Sequence, residues 1–161
     1  MKYIHPTAVI GPNVTIGDAY IGPYCVIGYP AEHRGTFPEV GKVEICDGAI
    51  LTGHVTVDAG IGMNGVTFIG SSAFLMKHSH VGHDAILYQG VTVACGAKIG
   101  GHCVIGVEAN IGLNAVIHQR VIIPAGCMIG AGAVVIKKSQ MQPNYKYAGN
   151  PVRELGPNFK I

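Results

Sequence analysis

Tryptophan is absent from this chain and charge is scarce, with Asp, Glu, Lys and Arg together making 12% of 161 residues. The net charge of +2, with histidine neutral, is too small for a nucleic-acid-binding face. No Phe/Tyr platform alternates with Lys or Arg, which excludes a stacking surface for single strands. Apolar runs stop after a handful of residues, so no segment can span a membrane as a helix. The five cysteines are odd in number and scattered, without a CxxC pair, and no signal peptide precedes them. Disulfides and secretion are therefore not expected, and the cytoplasm is the expected location.

Apolar residues and glycine are abundant instead. Hydrophobic residues make up 48% of the chain, a balance that calls for burial against further copies of itself. The 24 glycines form neither a collagen triplet nor a linker run, so they mark recurrent backbone corners. A six-residue period explains both features. From Ile69 to Val135 an aliphatic residue opens twelve consecutive hexads, and the fifth position is always small or compact, from Ala73 to Ser139. An α-helix, at 3.6 residues per turn, would scatter such a pattern around its axis. One short strand plus one corner fits it, and three such hexads close one triangular coil.

The chain is thus expected to be all-β, a parallel β-helix of about seven triangular coils over residues 1–136. Earlier hexads open at Ile4, Ile10 and Ile16 and restart one residue early at Ile21 and Ile27. Residues 28–42 read as an extruded loop, and a second disturbance falls around Asp58–Phe68. Residues 137–161 form a short non-repeat tail, where Pro143, Pro151 and Pro157 exclude a long helix but leave room for a short capping one. Cys25, Cys103 and Cys127 fall at the small inward position and read as core fillers.

The coil length also organises the eight histidines. Positions three hexads apart stack, so His83, Gly101 and Gln119 form one column and Asp84, His102 and Arg120 the next. Gly82, Gly100 and His118 form the column before them. Several polar groups therefore meet on one edge of a chain otherwise poor in charge. Imidazole accepts a proton near neutrality and is a natural general base for a hydroxyl or amine nucleophile. Asp84 can hold the ring's orientation or tautomer, while Gly100 and Gly101 bring bare backbone one coil above His83, where an N–H can meet an oxyanion. These are the parts that acyl transfer requires. A zinc site of the kind shared between subunits of γ-class carbonic anhydrases would need a second histidine shortly after His118; the chain reads QRVIIP there. No metal is expected.

The segments IHPTAVIGPNVTIG, IGPYCVIG, HSHVGHD, GGHCV, VIHQ and YAGNP resemble the acyl-(acyl-carrier-protein)–UDP-N-acetylglucosamine O-acyltransferases, which begin lipid A synthesis, over about residues 3–151. The resemblance implies a left-handed helix and a cytoplasmic homotrimer with sites between subunits. It also implies His83 as general base, Asp84 as its support and Gly101 N–H as oxyanion donor. His80, His102, His118 and Gln119 would contact sugar, phosphate or the acyl thioester, and Asn150 the nucleotide. No bound cofactor is implied; an acyl-carrier-protein or coenzyme A thioester is the co-substrate and a nucleotide-linked amino sugar the acceptor.

Three departures bear on the acceptor. Pro30-Ala31-Glu32-His33-Arg34 replaces the family's N-Q-D-x-K loop, Asp58 stands where the family has a histidine, and the family's C-terminal helical domain has almost no counterpart in these residues. A sugar N-acetyltransferase using acetyl-coenzyme A is an alternative, since those enzymes also place a histidine before an acidic residue and have endings similar to AGNPVREL. A non-catalytic trimeric scaffold is a second.

Overall fold

The computed structural model describes residues 2–32 and 39–159. The chain winds into a left-handed parallel β-helix with three flat faces. The first face stacks Tyr3–Ile4, Tyr20–Ile21, Ile50–Leu51, Phe74–Leu75, Thr92–Val93, Asn110–Ile111 and Met128–Ile129. The second runs from Val9–Ile10 through Val26–Tyr29, Thr56–Asp58, His80–Val81, Lys98–Ile99 and Val116–Ile117 to Val134–Val135. The third runs from Val14–Ile16 to Ile122–Ile123 in six strands. Seven coils result, the last lacking its third strand.

The hexad dictates this arrangement because a two-residue strand presents one side chain inward. Ile69, Leu75, Val81, Leu87, Val93, Ile99, Ile105, Ile111, Ile117, Ile123, Ile129 and Val135 are all at most 1% exposed, and they stack into the axial core. Ala85, Ala97, Ala109, Ala115 and Ala133 occupy the tighter inward sites beside the corners and are fully buried. Cys25, Cys103 and Cys127 join them, and burial raises each thiol's pKa, which keeps the sulfur protonated and inert.

Corners are made by a left-handed residue. Tyr24, His54, Ser72, His78, Asp84, His102, Glu108, Asn114, Arg120 and Asn144 all have φ between 51° and 63°. This conformation costs an L-residue roughly 1–2 kcal/mol. In all of these but Tyr24 and Asp84 the amide is compensated by a carbonyl one coil below, as from His102 N to His83 O and from Arg120 N to Gly101 O, both at 2.9 Å.

Two insertions interrupt the winding. Regular coils pair Tyr3 with Tyr20 and His80 with Lys98, at or within one residue of the three-hexad length. Much longer stretches of chain separate Val26 from its partner Thr56, and Thr56 from its partner His80. The first excess lies inside the loop expected at 28–42, between strands Val26–Tyr29 and Lys42–Ile45, which take up Gly28, Tyr29 and Lys42; residues 33–38 lie outside the described ones. Its returning arm packs on the second insertion, through an antiparallel bridge between Val40 and Ile61 and a Gly41 N to Gly60 O bond of 2.8 Å.

The tail leaves the repeat, as expected, and does not take up the capping helix for which it had room. No helix forms among the described residues; Tyr145–Gly149 pairs in parallel with Met128–Ile129, and Val152–Pro157 turns back antiparallel on it. The open edge of the seventh coil supplies unpaired backbone groups, and Tyr147, 2% exposed, caps the core from this strand.

Candidate active site

The corner between the second and third faces carries the polar edge. His83 and Asp84 follow strand His80–Val81, and the left-handed φ of Asp84 turns its carboxylate back on its neighbour. Asp84 Oδ2 accepts from His83 Nδ1 at 2.8 Å and from Ile61 N–H at 3.2 Å. A proton on Nδ1 leaves a lone pair on Nε2. One coil on, Gly101 lies against that nitrogen, where a Cβ would fall 2.6 Å from His83 Nε2. Gly101 O takes the Arg120 amide, while Gly101 N–H has no protein acceptor among the described residues. Amides at this corner position are open in other coils too; at Gly101 no side chain separates the amide from His83.

His102 stands edge-on to His83, with ring centroids 4.9 Å apart, and its Nε2 is 4.0 Å from Asp84 Oδ2. Burial lowers the His102 pKa, the Arg120 guanidinium and His83 push it the same way, and Asp84 opposes them. The donor atoms of His83, Asp84 and His102 lie within 4.8 Å of one another, a set that could ligate a metal. Asp84 Oδ2 is already committed to two hydrogen bonds there.

A cleft of about 540 Å³ runs from this corner across the second face. Tyr29, Glu32, Asp58, His80, His83, Lys98 and Gly101 line it. His80 holds Thr56 Oγ1 through Nδ1 at 2.8 Å and faces Asp58 Oδ2 with Nε2 at 3.7 Å. Burial raises the Asp58 pKa; His80 and His83 counter the shift and Glu32 adds to it. Lys98 Nζ bonds the His78 carbonyl.

The structure therefore brings His80, His83, Asp84, Gly101 and His102 together. His118 and Gln119 are exposed further along the same edge, outside the cleft lining, with His118 Nδ1 3.1 Å from Gln119 O. Asn150 is not in the cluster; it sits in the hairpin turn four coils on, at the end of the first face, roughly 19 Å along the axis at the ~4.8 Å strand spacing. His33 and Arg34 lie outside the described residues.

Sequence reasoning passes over Lys98, Thr56, Ile61 and Thr67. Lys98 is one coil above His80, so the hexad ruler reaches it. Thr56 is one coil below His80 in space but more than a coil away in sequence, and the insertion hides that column.

No family model matches the chain. Two acyl-(acyl-carrier-protein)–UDP-N-acetylglucosamine O-acyltransferases are similar to it. The one from Caulobacter vibrioides is 34% identical over 137 residues, covering 62% of this chain and 52% of the relative. That from Campylobacter concisus is 30% identical over 145 residues, covering 66% and 55%. The chain thus spans about half the length of these curated relatives. The solved structure of LpxA from Acinetobacter baumannii superposes with a TM-score of 0.76 at 26% identity, over 96% of this chain and 72% of that one. In sequence and in fold, the chain is similar to the acyl-(acyl-carrier-protein)–UDP-N-acetylglucosamine O-acyltransferases.

Proposed function

We propose that this protein is an acyltransferase that moves an acyl group from an acyl-carrier-protein or coenzyme A thioester to a hydroxyl of a nucleotide-linked amino sugar, with UDP-N-acetylglucosamine as the reference acceptor. The observation that carries this reading is the His83–Asp84 pair at 2.8 Å, with His83 against Gly101 in the lining of the cleft. His83 Nε2 takes the hydroxyl proton as the oxygen attacks the thioester carbonyl carbon. Asp84 holds the ring and stabilises the imidazolium that forms. The Gly101 N–H meets the oxyanion of the tetrahedral intermediate. The C–S bond then breaks, and the thiolate leaves with the proton from His83.

His80 and His102 line the approach to the sugar, and His118 and Gln119 hold the phosphate or the thioester arm further along the edge. Asn150 reads the nucleotide at the far end of an extended substrate. The working unit is a cytoplasmic homotrimer with its sites between subunits, and the resemblance points to the opening acylation of lipid A assembly. A chain with 12% charged residues leaves much apolar surface for such subunit contacts.

A mass-spectrometric screen of acyl-carrier-protein and coenzyme A thioesters against UDP- and dTDP-sugars tests the reading. Mass gain on a sugar hydroxyl is the expected result; acylation at nitrogen would move the protein to the sugar N-acyltransferases. His83→Ala should lower turnover by about 10²–10⁴-fold with the oligomer intact. Retained turnover would remove His83 as the base.

A further inference from the structure

Corner amides in the regular coils share one rule. The left-handed residue donates to the carbonyl just before its stacked counterpart one coil below: Asn114 N to Cys95 O at 3.0 Å, Arg120 N to Gly101 O and Gly126 N to Val107 O at 2.9 Å. Asp84 departs from it. Just before this corner His80 pairs with Thr56 across the second insertion, and just after it Ile86 pairs with Phe68 at the regular coil length. The additional residues of the insertion therefore sit directly beneath Asp84. Gly65 O, the carbonyl that the rule assigns to Asp84, is taken by Lys42 N–H at 2.8 Å. In its place the Asp84 amide donates to Thr67 Oγ1 at 2.8 Å. A hydroxyl substitutes in this way at one other described corner, Tyr24 N on Thr7 Oγ1 in the exposed first coils.

Thr67 has the features of a residue kept for this bond. Its strand, Val66–Ile69, lies on the third face, yet Thr67 is fully buried, one of two buried polar residues among those described. The insertion delivers Ile61 N–H to Asp84 Oδ2. It also leaves room for the carboxylate at Gly65, where a Cβ would fall 2.7 Å from Asp84 Oδ1. Backbone and side chain of Asp84 are thus both held: the amide by Thr67 on the strand that follows the insertion, the carboxylate by Ile61 within it.

We propose that the Ile61 amide of the second insertion and the Thr67 hydroxyl of the strand that follows it form a brace that aims the Asp84 carboxylate at His83 Nδ1, with Thr67 a positioning residue for acyl transfer. The inference rests on His83 being the base. Thr67 touches no substrate; it acts through Asp84. Removing its hydroxyl leaves the Asp84 amide without an acceptor, relaxes the corner and lets the carboxylate drift from Nδ1. Displacements of this kind lower kcat because the reacting geometry is lost while binding groups stay in place.

Thr67→Val, which keeps the shape, and Thr67→Ser, which keeps the hydroxyl, test the brace. Nitrogen-15 spectra of the His83 ring at about pH 8, above the ordinary imidazole range, should show the Nδ1–H tautomer in the parent and in Thr67→Ser. The Nε2–H form should rise in Thr67→Val. Turnover by Thr67→Val should fall about 10-fold with KM within about twofold, and Thr67→Ser should restore it. In an Asp84→Asn background Thr67→Val should change kcat no further. A Thr67→Val protein that melts earlier but keeps the parent tautomer and kcat makes Thr67 a packing residue and overturns the proposal. Should no donor and acceptor pair support turnover, the functional reading fails, while the tautomer comparison still decides the brace.

Discussion

His102 lies between Asp84, which favours its proton, and burial with Arg120, which disfavour it; the net shift is downward. In the unfolded chain it titrates near the ordinary value of about 6.5. As pH falls through that value the unfolded state binds the proton first, so stability drops until the lower folded pKa is passed. His102→Gln should therefore flatten the loss of thermal stability between about pH 8 and 5, measured by melting in a pH series. An unchanged slope would show that His102 gains its proton as readily folded as unfolded. At this scale the sequence is informative about which residue types meet, since the three-hexad column predicts His102 above Asp84 and Gly101 above His83. It is silent about orientation. The left-handed backbone of Asp84, φ 56°, is what turns the carboxylate toward the histidine beside it.

The corner is the element on which the fold depends as much as on the aliphatic stack. Asn and Gly recur there because they enter the left-handed region at least cost. Asn114, at φ 54°, is exposed, and its Oδ1 reaches over Gly96, where a Cβ would fall 2.0 Å away. Asn114→Val should lower stability by about 1–2 kcal/mol, and Asn114→Gly should be close to neutral, both read from urea midpoints. Equal midpoints for Val and Asn would remove backbone strain as the reason for the choice. The C-terminal tail shows the limit of the hexad as a guide. Its prolines and lost period place it outside the repeat, but the unpaired edge of Met128–Ile129 recruits Tyr145–Gly149 as a further strand. Backbone hydrogen bonding, which carries no sequence period, decided that pairing.

For the whole molecule, the third face presents Phe68, Ile86 and Val104, half-buried, in line with Ile122 at 67% exposed. An apolar stripe along one flat side suits packing against a second copy, in keeping with the proposed trimer. Ile122→Glu should dissociate that trimer in sedimentation velocity and abolish acyl transfer without unfolding the coil, because the residue points away from the core. A trimer that survives the substitution places the subunit contact on another face.

The sequence by itself determined the β-helix, its coil length, its inward residues and the edge on which His83, Asp84, Gly101 and His102 meet, because a fixed period converts residue number directly into position. Tertiary structure alone decided how that edge is braced. Insertions reset the count, so Thr56, Asp58 and Ile61 come to His80 and Asp84 from separations no single period relates, while Thr67, about one coil below Asp84, replaces the corner carbonyl that the period would assign. Hydrogen-bond partners across coils follow from where those extra residues fold back, and that is settled only when the chain is packed.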